Sequence, residues 1–213
     1  MCRQGQTVQE CQGSLLNHRG EQDADTIGHF YYSGGHMQQH AVLMGLGRLD
    51  NQGLALAIKR ELNPRGSNWD LSYSQPQLAG GAQSSAQGYG QFLRGMLAGD
   101  LKMGALLGSH PVCTNPKTCP GDALKTPIPT TESWHYSLGH WVEDDAAVGD
   151  GAFSSPGAFG FYPWIHANRQ YYGILAREDH QGVLLGDPDT KPAIRSVSCG
   201  RLIRQAWERG AIR

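Results

Sequence analysis

The chain lacks the features that mark several classes of protein. It has no run of basic residues, and its 18 Lys and Arg against 19 Asp and Glu give a formal net charge of -1. This balance argues against nucleic acid or an anionic membrane surface as the main partner. No apolar stretch reaches the roughly 18 residues that a membrane span needs, and the N-terminal stretch is polar. We therefore expect no nucleic-acid partner, no membrane span and no signal peptide in this sequence.

Charged and apolar residues are both scarce, at 17% and 39% of the chain, whereas glycine is abundant, with 29 residues. This composition is typical of a protein rich in loops. The sequence has no internal repeat and no low-complexity segment. Its length of 213 residues is ample for one hydrophobic core.

The five cysteines suggest two local disulfides. Cys113 and Cys119 lie in a Pro- and Thr-rich stretch, where a bridge would staple a segment with little secondary structure. Cys2 and Cys11 form a second candidate pair, which leaves Cys199 over. Reduced thiols are the alternative, because spacing alone never proves a bridge. A zinc site fits less well, since the gap between Cys113 and Cys119 is too wide and no paired histidine motif follows.

The nine histidines do not predict a metal site. His135 and His140 fall on one predicted strand, where residues five apart point to opposite faces. His36 follows an aromatic segment and begins a predicted helix, so it is either an acid or base near neutral pH or simply a polar residue at a helix start. We expect no metal and no cofactor.

Periodicity and turn residues predict helices first and strands later. A turn is predicted at Asn63 to Gly66, and residues 109–131 are predicted to be a loop. On the last helix, an apolar stripe is expected to pack on the sheet; it consists of Cys199, Leu202, Ile203, Ala206 and Trp207. The predicted helices cover residues 37–49, 52–62, 85–98, 101–107 and 196–209, and the predicted strands cover residues 134–142, 156–165 and 171–177.

The most informative segment is an aromatic pair of strands. Residues 154–165 begin with small side chains and end with aromatic ones, and residues 171–176 are apolar and β-prone. The polar residues 166–170 between them predict a hairpin. Glycine within a strand marks a place where a ligand or another backbone approaches closely. The small residues at 155–158 therefore indicate a substrate edge.

This pattern, with residues 134–141 before it, resembles the C-terminal part of the serine hydrolases related to class C β-lactamases, D-alanyl peptidases and their esterase relatives. That family carries Lys-Thr-Gly or His-x-Gly on a strand that lines the substrate. The corresponding residues here are Ser155-Pro156-Gly157. The resemblance implies that they contact substrate and that the N–H of Ala158 donates one hydrogen bond to the oxyanion.

A second match covers residues 29–39, where the family carries Tyr-x-Asn. By this register Tyr32 is the tyrosine that acts as, or assists, the general base, and Gly34 replaces the substrate-binding asparagine. A phenol has a pKa of about 10 and needs a cationic neighbour to serve as a base. Ser155 supplies no such charge.

A third match covers residues 78–97, which are similar to the family's Gly-Gly, Ser-Ala and helix segment. Ser84 or Ser85 is a candidate N-cap for this helix. Together the three matches follow the family's order over roughly residues 29–178.

The family's nucleophile motif, Ser-x-x-Lys, is missing, because no serine is followed three residues later by lysine. Thr114-Asn115-Pro116-Lys117 is the nearest imitation and lies in a predicted loop. We therefore expect either a C-terminal fragment of a longer enzyme or a reading frame that starts too late, with a full-length parent that is periplasmic or secreted.

The fold class implied by the resemblance is α+β of the β-lactamase/transpeptidase type, with an antiparallel sheet flanked by helices and its N-terminal part missing. Residues 1–213 are expected to form one partial domain, helical over about 29–133 and completed by the sheet and last helix over about 134–213. Such an enzyme cleaves an ester, amide or lactam of a small molecule or peptide through a serine, and this chain alone is predicted to be inactive or nearly so. One alternative is a non-catalytic relative that binds a peptide or peptidoglycan fragment in the same cleft. A third possibility is an unrelated α+β domain whose matches to the family are fortuitous. The sequence makes no prediction of the exact substrate or the oligomeric state.

Overall fold

The computed structural model describes residues 2–62, 69–180 and 191–210 and has an α+β fold. The chain divides into two compact units. The first unit is Met1–Ile27 with Tyr32–Phe92, and the second is Gly28–Tyr31 with Leu93–Arg213. The predicted change from helices to sheet near residue 133 does not coincide with the boundary after Phe92. A single partial domain over residues 1–213 stays a prediction.

The described residues contain six α-helices, ten short strands and two 3₁₀ segments, Leu15–Gly20 and Ala24–Thr26. The predicted helices at 52–62 and 85–98 are confirmed, whereas the one at 37–49 ends early and continues as a π-helical turn over Val42–Leu46. The predicted turn at Asn63 to Gly66 lies outside the described residues. The helices are α1 Val8–Gln12, α2 Gly35–Ala41, α3 Asn51–Leu62, α4 Ala86–Leu97, α5 Met103–Leu106 and α6 Pro192–Glu208; the strands are β1 Phe30–Tyr31, β2 Ser72–Tyr73, β3 Ala82–Gln83, β4 Val112–Cys113, β5 Ala123–Lys125, β6 His135–Ser137, β7 His140–Glu143, β8 Ala152–Ser154, β9 Tyr162–Ile165 and β10 Tyr172–Leu175.

In the first unit, a buried glutamine joins three segments of the chain. The side chain of Gln38 on α2 donates to the carbonyl oxygens of Val8 at 2.9 Å and Pro76 at 2.8 Å. Its amide oxygen accepts from the N–H of Leu78 at 3.0 Å. The amide nitrogen and the amide oxygen of Gln38 therefore both have hydrogen-bond partners, as a buried side-chain amide requires. The hydrophobic cluster around it consists of Val8, Ala41, Leu54, Ala55, Trp69, Leu71 and Tyr73.

The second unit is built on an antiparallel six-stranded sheet with the order β10-β9-β8-β7-β6-β4. The predicted hairpin of aromatic strands is confirmed as β9 and β10, in which Ile165 pairs with Tyr172. The core of this unit is rich in aromatic residues and comprises Ile128, Trp134, Trp141, Tyr162, Trp164, Ile194 and Val197.

The single strand predicted at 134–142 is wrong. The segment is the hairpin β6–β7, in which Ser137 pairs with His140. Leu138 and Gly139 form the turn, with φ of 43° and 91°. Positive φ at both central residues is the geometry of a type I′ turn, which matches the twist of the two strands. The predicted loop over 109–131 also contains two short strands, β4 and β5.

The packing predicted for the last helix is also wrong. Leu202 and Trp207 on α6 are 67% and 71% exposed, and Cys199, Ile203 and Ala206 are exposed as well. The opposite face is buried and includes Val197, Arg201 and Arg204. The helix thus packs through a face that carries two arginines.

Both arginines find carboxylates inside the second unit. Arg204 Nη2 lies 3.0 Å from Glu143 Oε2, and Arg201 Nη2 lies 2.6 Å from Glu132 Oε2. The side chains of Arg204 and Glu143 are 1% and 0% exposed. Burial raises the pKa of Glu143, and the charge of Arg204 opposes that rise. The buried face of α6 therefore carries arginines paired with carboxylates, and the apolar stripe lies on the exposed face.

Both predicted disulfides form. Cys2 pairs with Cys11, with their Cα atoms 4.9 Å apart, and Cys113 pairs with Cys119 at 6.5 Å. Cys199 is an exposed free thiol. Of the two serines predicted to cap α4, Ser85 is the N-cap, because its Oγ accepts from the N–H of Gly88 at 3.1 Å.

Candidate functional site

The predicted substrate strand at 156–165 is wrong in its first half, because residues 155–161 connect two strands. β8 ends at Ser154 and β9 begins at Tyr162. The N–H of Gly157 donates to the carbonyl oxygen of Phe161, and that of Gly160 to the carbonyl oxygen of Gly157, both at 2.8 Å. Gly160 has φ of 97°. These features define a three-residue hairpin loop, a type I turn followed by a glycine bulge.

Ala158 occupies the first central position of this turn and is exposed. A type I turn leaves the N–H of that position outside its own hydrogen bonds. Among the residues that the structure describes, no acceptor receives a bond from the Ala158 N–H. The turn thus offers a fixed backbone donor at the surface of the second unit. A carbonyl or anionic oxygen is the partner that such a donor takes.

Two of the three residues before Ala158 are held in the hairpin by backbone hydrogen bonds. The N–H of Ser155 donates to the carbonyl oxygen of Pro163 at 3.2 Å, so the hairpin ladder continues beyond β8. A Cβ at Gly157 would lie 3.1 Å from the carbonyl oxygen of Phe161. The close approach that the glycine indicated is therefore made by the protein's own backbone. Pro156 is half-buried and Ser155 is exposed.

Two other segments brace the turn. The N–H of Asp179 donates to the carbonyl oxygen of Phe159 at 2.8 Å, and Ser196 Oγ on α6 donates to the carbonyl oxygen of Gly160 at 2.8 Å. The ring of His180 contacts the Phe159 ring, with centroids 4.4 Å apart. Sequence reasoning missed His180, since it lies some twenty residues from the turn and no local pattern links the two.

Tyr32 and Gly34 lie together in the first unit, whereas Ser155, Pro156, Gly157 and Ala158 lie together in the second. Tyr32 is 38% exposed, and its partial burial raises the pKa of the phenol. Tyr32 is therefore protonated near neutral pH, which is the opposite of what a general base requires.

Gly34 is the N-cap residue of α2 and faces Ala79, whose Cβ would lie 3.1 Å from a Cβ at position 34. His36 is exposed at the start of α2, and desolvation lowers its pKa. The neutral imidazole is therefore favoured there.

The histidines on the sheet have partners other than a metal. His135 Nδ1 lies 2.8 Å from Asp144 Oδ2, and His140 Nε2 accepts from the N–H of Gly108 at 3.0 Å. Over residues 2–62, 69–180 and 191–210, no three His, Cys, Asp or Glu side chains converge as ligands would. In the same ranges, no helix has the length and apolar character to span a membrane.

No family model, no curated protein and no solved structure matches this chain. The likeness to the serine hydrolases therefore depends on the motifs of the sequence.

Proposed function

We propose that this chain carries the carbonyl-binding part of a serine hydrolase related to the β-lactamases. Such an enzyme transfers an acyl group from an ester, amide or lactam to a serine and then to water. The observation that carries the proposal is the N–H of Ala158, which has no acceptor among the described residues and lies on an exposed turn that directly follows Ser155-Pro156-Gly157. The ligand is a small molecule or peptide with an acyl carbonyl.

The chemistry of acyl transfer explains why this donor matters. Attack on the acyl carbon moves negative charge onto the carbonyl oxygen. A preorganised N–H stabilises that charge without reorganisation, and one such donor contributes on the order of 10²–10³ in rate. The brace from Asp179 and Ser196 keeps the Ala158 turn in place. Because the chain has no Ser-x-x-Lys motif, we expect its own turnover to be slow.

Hydrolysis of an activated ester, 4-nitrophenyl acetate, tests the proposal. A158P removes the N–H, and proline suits the first central position of a type I turn. A158G keeps the N–H and is the matched control. We expect turnover above the buffer rate for the native chain and A158G, and a loss of about 10²-fold in A158P. Equal rates in A158P and the native chain would refute the role of Ala158.

A second candidate function is a non-catalytic protein that binds a peptide or peptidoglycan fragment through the same turn. It is favoured by the raised pKa of Tyr32 and by the uncharged Ser155 where the family has lysine or histidine. A fluorophosphonate probe followed by mass spectrometry separates the two functions. Labelling of one serine identifies a nucleophile and favours the hydrolase. Calorimetric binding of acetyl-D-alanyl-D-alanine without labelling favours the binding protein.

A further inference from the structure

An ionisable pair lies beside the Ala158 turn in the second unit. His180 Nε2 and Glu178 Oε1 are 2.7 Å apart, and both side chains are exposed. The His180 ring lies against the ring of Phe159, the residue that follows Ala158. The imidazole thus contacts the side chain of the residue that follows the Ala158 donor.

The position of this imidazole is set by several contacts. An exposed ion pair alone contributes little to holding a side chain in place. Here, however, the N–H of Asp179 is bonded to the carbonyl oxygen of Phe159 at 2.8 Å. Arg177 Nη2 holds the Asp179 carboxylate at 2.6 Å. The segment 177–180 is therefore attached to the turn through the backbone N–H of Asp179 and the ring of His180.

We propose that His180, positioned by Glu178, is a catalytic residue that transfers the proton of the hydrolytic water at the Ala158 site. This inference rests on the proposed function. With Nε2 engaged by the carboxylate, Nδ1 is the nitrogen left to accept a proton. The carboxylate of Glu178 also stabilises the imidazolium that forms.

On an ester, hydrolysis by this route begins with attack of water on the acyl carbon. The water oxygen forms a bond to the acyl carbon, its proton passes to His180 Nδ1, and the carbonyl oxygen takes the negative charge beside the Ala158 N–H. When the carbonyl re-forms, the bond to the leaving oxygen breaks and the imidazolium returns its proton to that oxygen. The products are an acid and an alcohol, and His180 is regenerated.

Hydrolysis at this turn needs a base, and the residues predicted from the family resemblance do not supply one. Ser155 carries no charge, and burial raises the pKa of Tyr32, so neither supplies a base near neutral pH. Histidine is the side chain that exchanges protons in that range. General-base assistance contributes typically 10²–10⁴ in rate.

The pH dependence of 4-nitrophenyl acetate hydrolysis tests the proposal on the native chain, H180Q, E178Q and A158P. H40Q is the matched control, because His40 is an exposed histidine in the first unit. We expect H180Q to lose the pH dependence of the native rate and at least about 10-fold in rate. E178Q should keep the native pH dependence at a lower rate, and H40Q should match the native chain.

An H180Q profile that matches the native one overturns this inference. If A158P is then slow, the proposed function stands without His180. If neither variant differs from the native chain, both proposals fail.

Discussion

At the scale of single residues, His140 shows how a buried side chain couples the fold to pH. It is 8% exposed and its Nε2 accepts from the N–H of Gly108 at 3.0 Å. Desolvation lowers the pKa of His140 from 6.5 to about 4. The folded chain therefore holds this imidazole neutral where the unfolded chain would protonate it.

The sign of the pH effect follows from this shift. Because the folded pKa lies below the unfolded one, the contribution to stability is present above pH 6.5 and is lost as the pH falls from 6.5 to about 4. The loss is on the order of 3 kcal/mol. Urea unfolding at pH 7 and pH 4.5 measures it. In H140Q, where an amide oxygen replaces the titrating acceptor, the difference between the two pH values should shrink; an unchanged difference would contradict the assignment.

At the scale of elements, the ionic network under α6 decides how the helix packs. Arg204 contacts Glu143 on β7, and its Nε lies 2.5 Å from Asp150 Oδ2. Its guanidinium also lies 5.4 Å from the centroid of the Trp164 ring. The helix is thus tied to the sheet through one side chain with several partners.

Removing one partner of the Arg204–Glu143 pair should destabilise the folded chain more than removing both. R204M leaves the fully buried Glu143 carboxylate without its main counter-charge, and we expect a loss of about 3–5 kcal/mol in unfolding free energy. The double variant E143L/R204M removes the orphaned charge and should be more stable than R204M alone. Chemical denaturation of the three proteins measures the difference, and a double variant less stable than R204M would count against the network.

The elements also show what the sequence could predict and what it could not. The β9–β10 hairpin followed from local aromatic and polar patterns, and both disulfides followed from cysteine spacing. The β6–β7 turn was missed because Leu138 adopts positive φ, which is unusual for leucine. The exposure of the apolar stripe on α6 was not predicted, because periodicity shows only which residues are apolar. Which face of the helix is buried depends on ion pairs with residues distant in the sequence.

The candidate site, too, could be predicted from the sequence only in part. The motif at 155–158 located the exposed donor, although the strand assigned to it is a turn. His180 and its partner Glu178 could not be found, because the contact of His180 with Phe159 depends on the packing of a segment distant in the sequence.

At the scale of the whole molecule, the proposed function depends on one geometric feature of the second unit. The carbonyl-binding role requires that the Ala158 N–H is free, while the N–H groups of Gly157 and Gly160 are committed to the turn. All the proposed chemistry, with a serine or with water as the nucleophile, uses that donor.

The most direct measurement is an amide NMR titration of the folded, ¹⁵N-labelled chain with a phosphonate monoester, whose anionic oxygens mimic the charge of the acyl-transfer intermediate. The account predicts a saturable shift that is largest at Ala158, little change at Gly80 in the first unit, and no saturable binding in A158P. An unmoved Ala158 amide at ligand saturation, or equal binding by A158P, would contradict it.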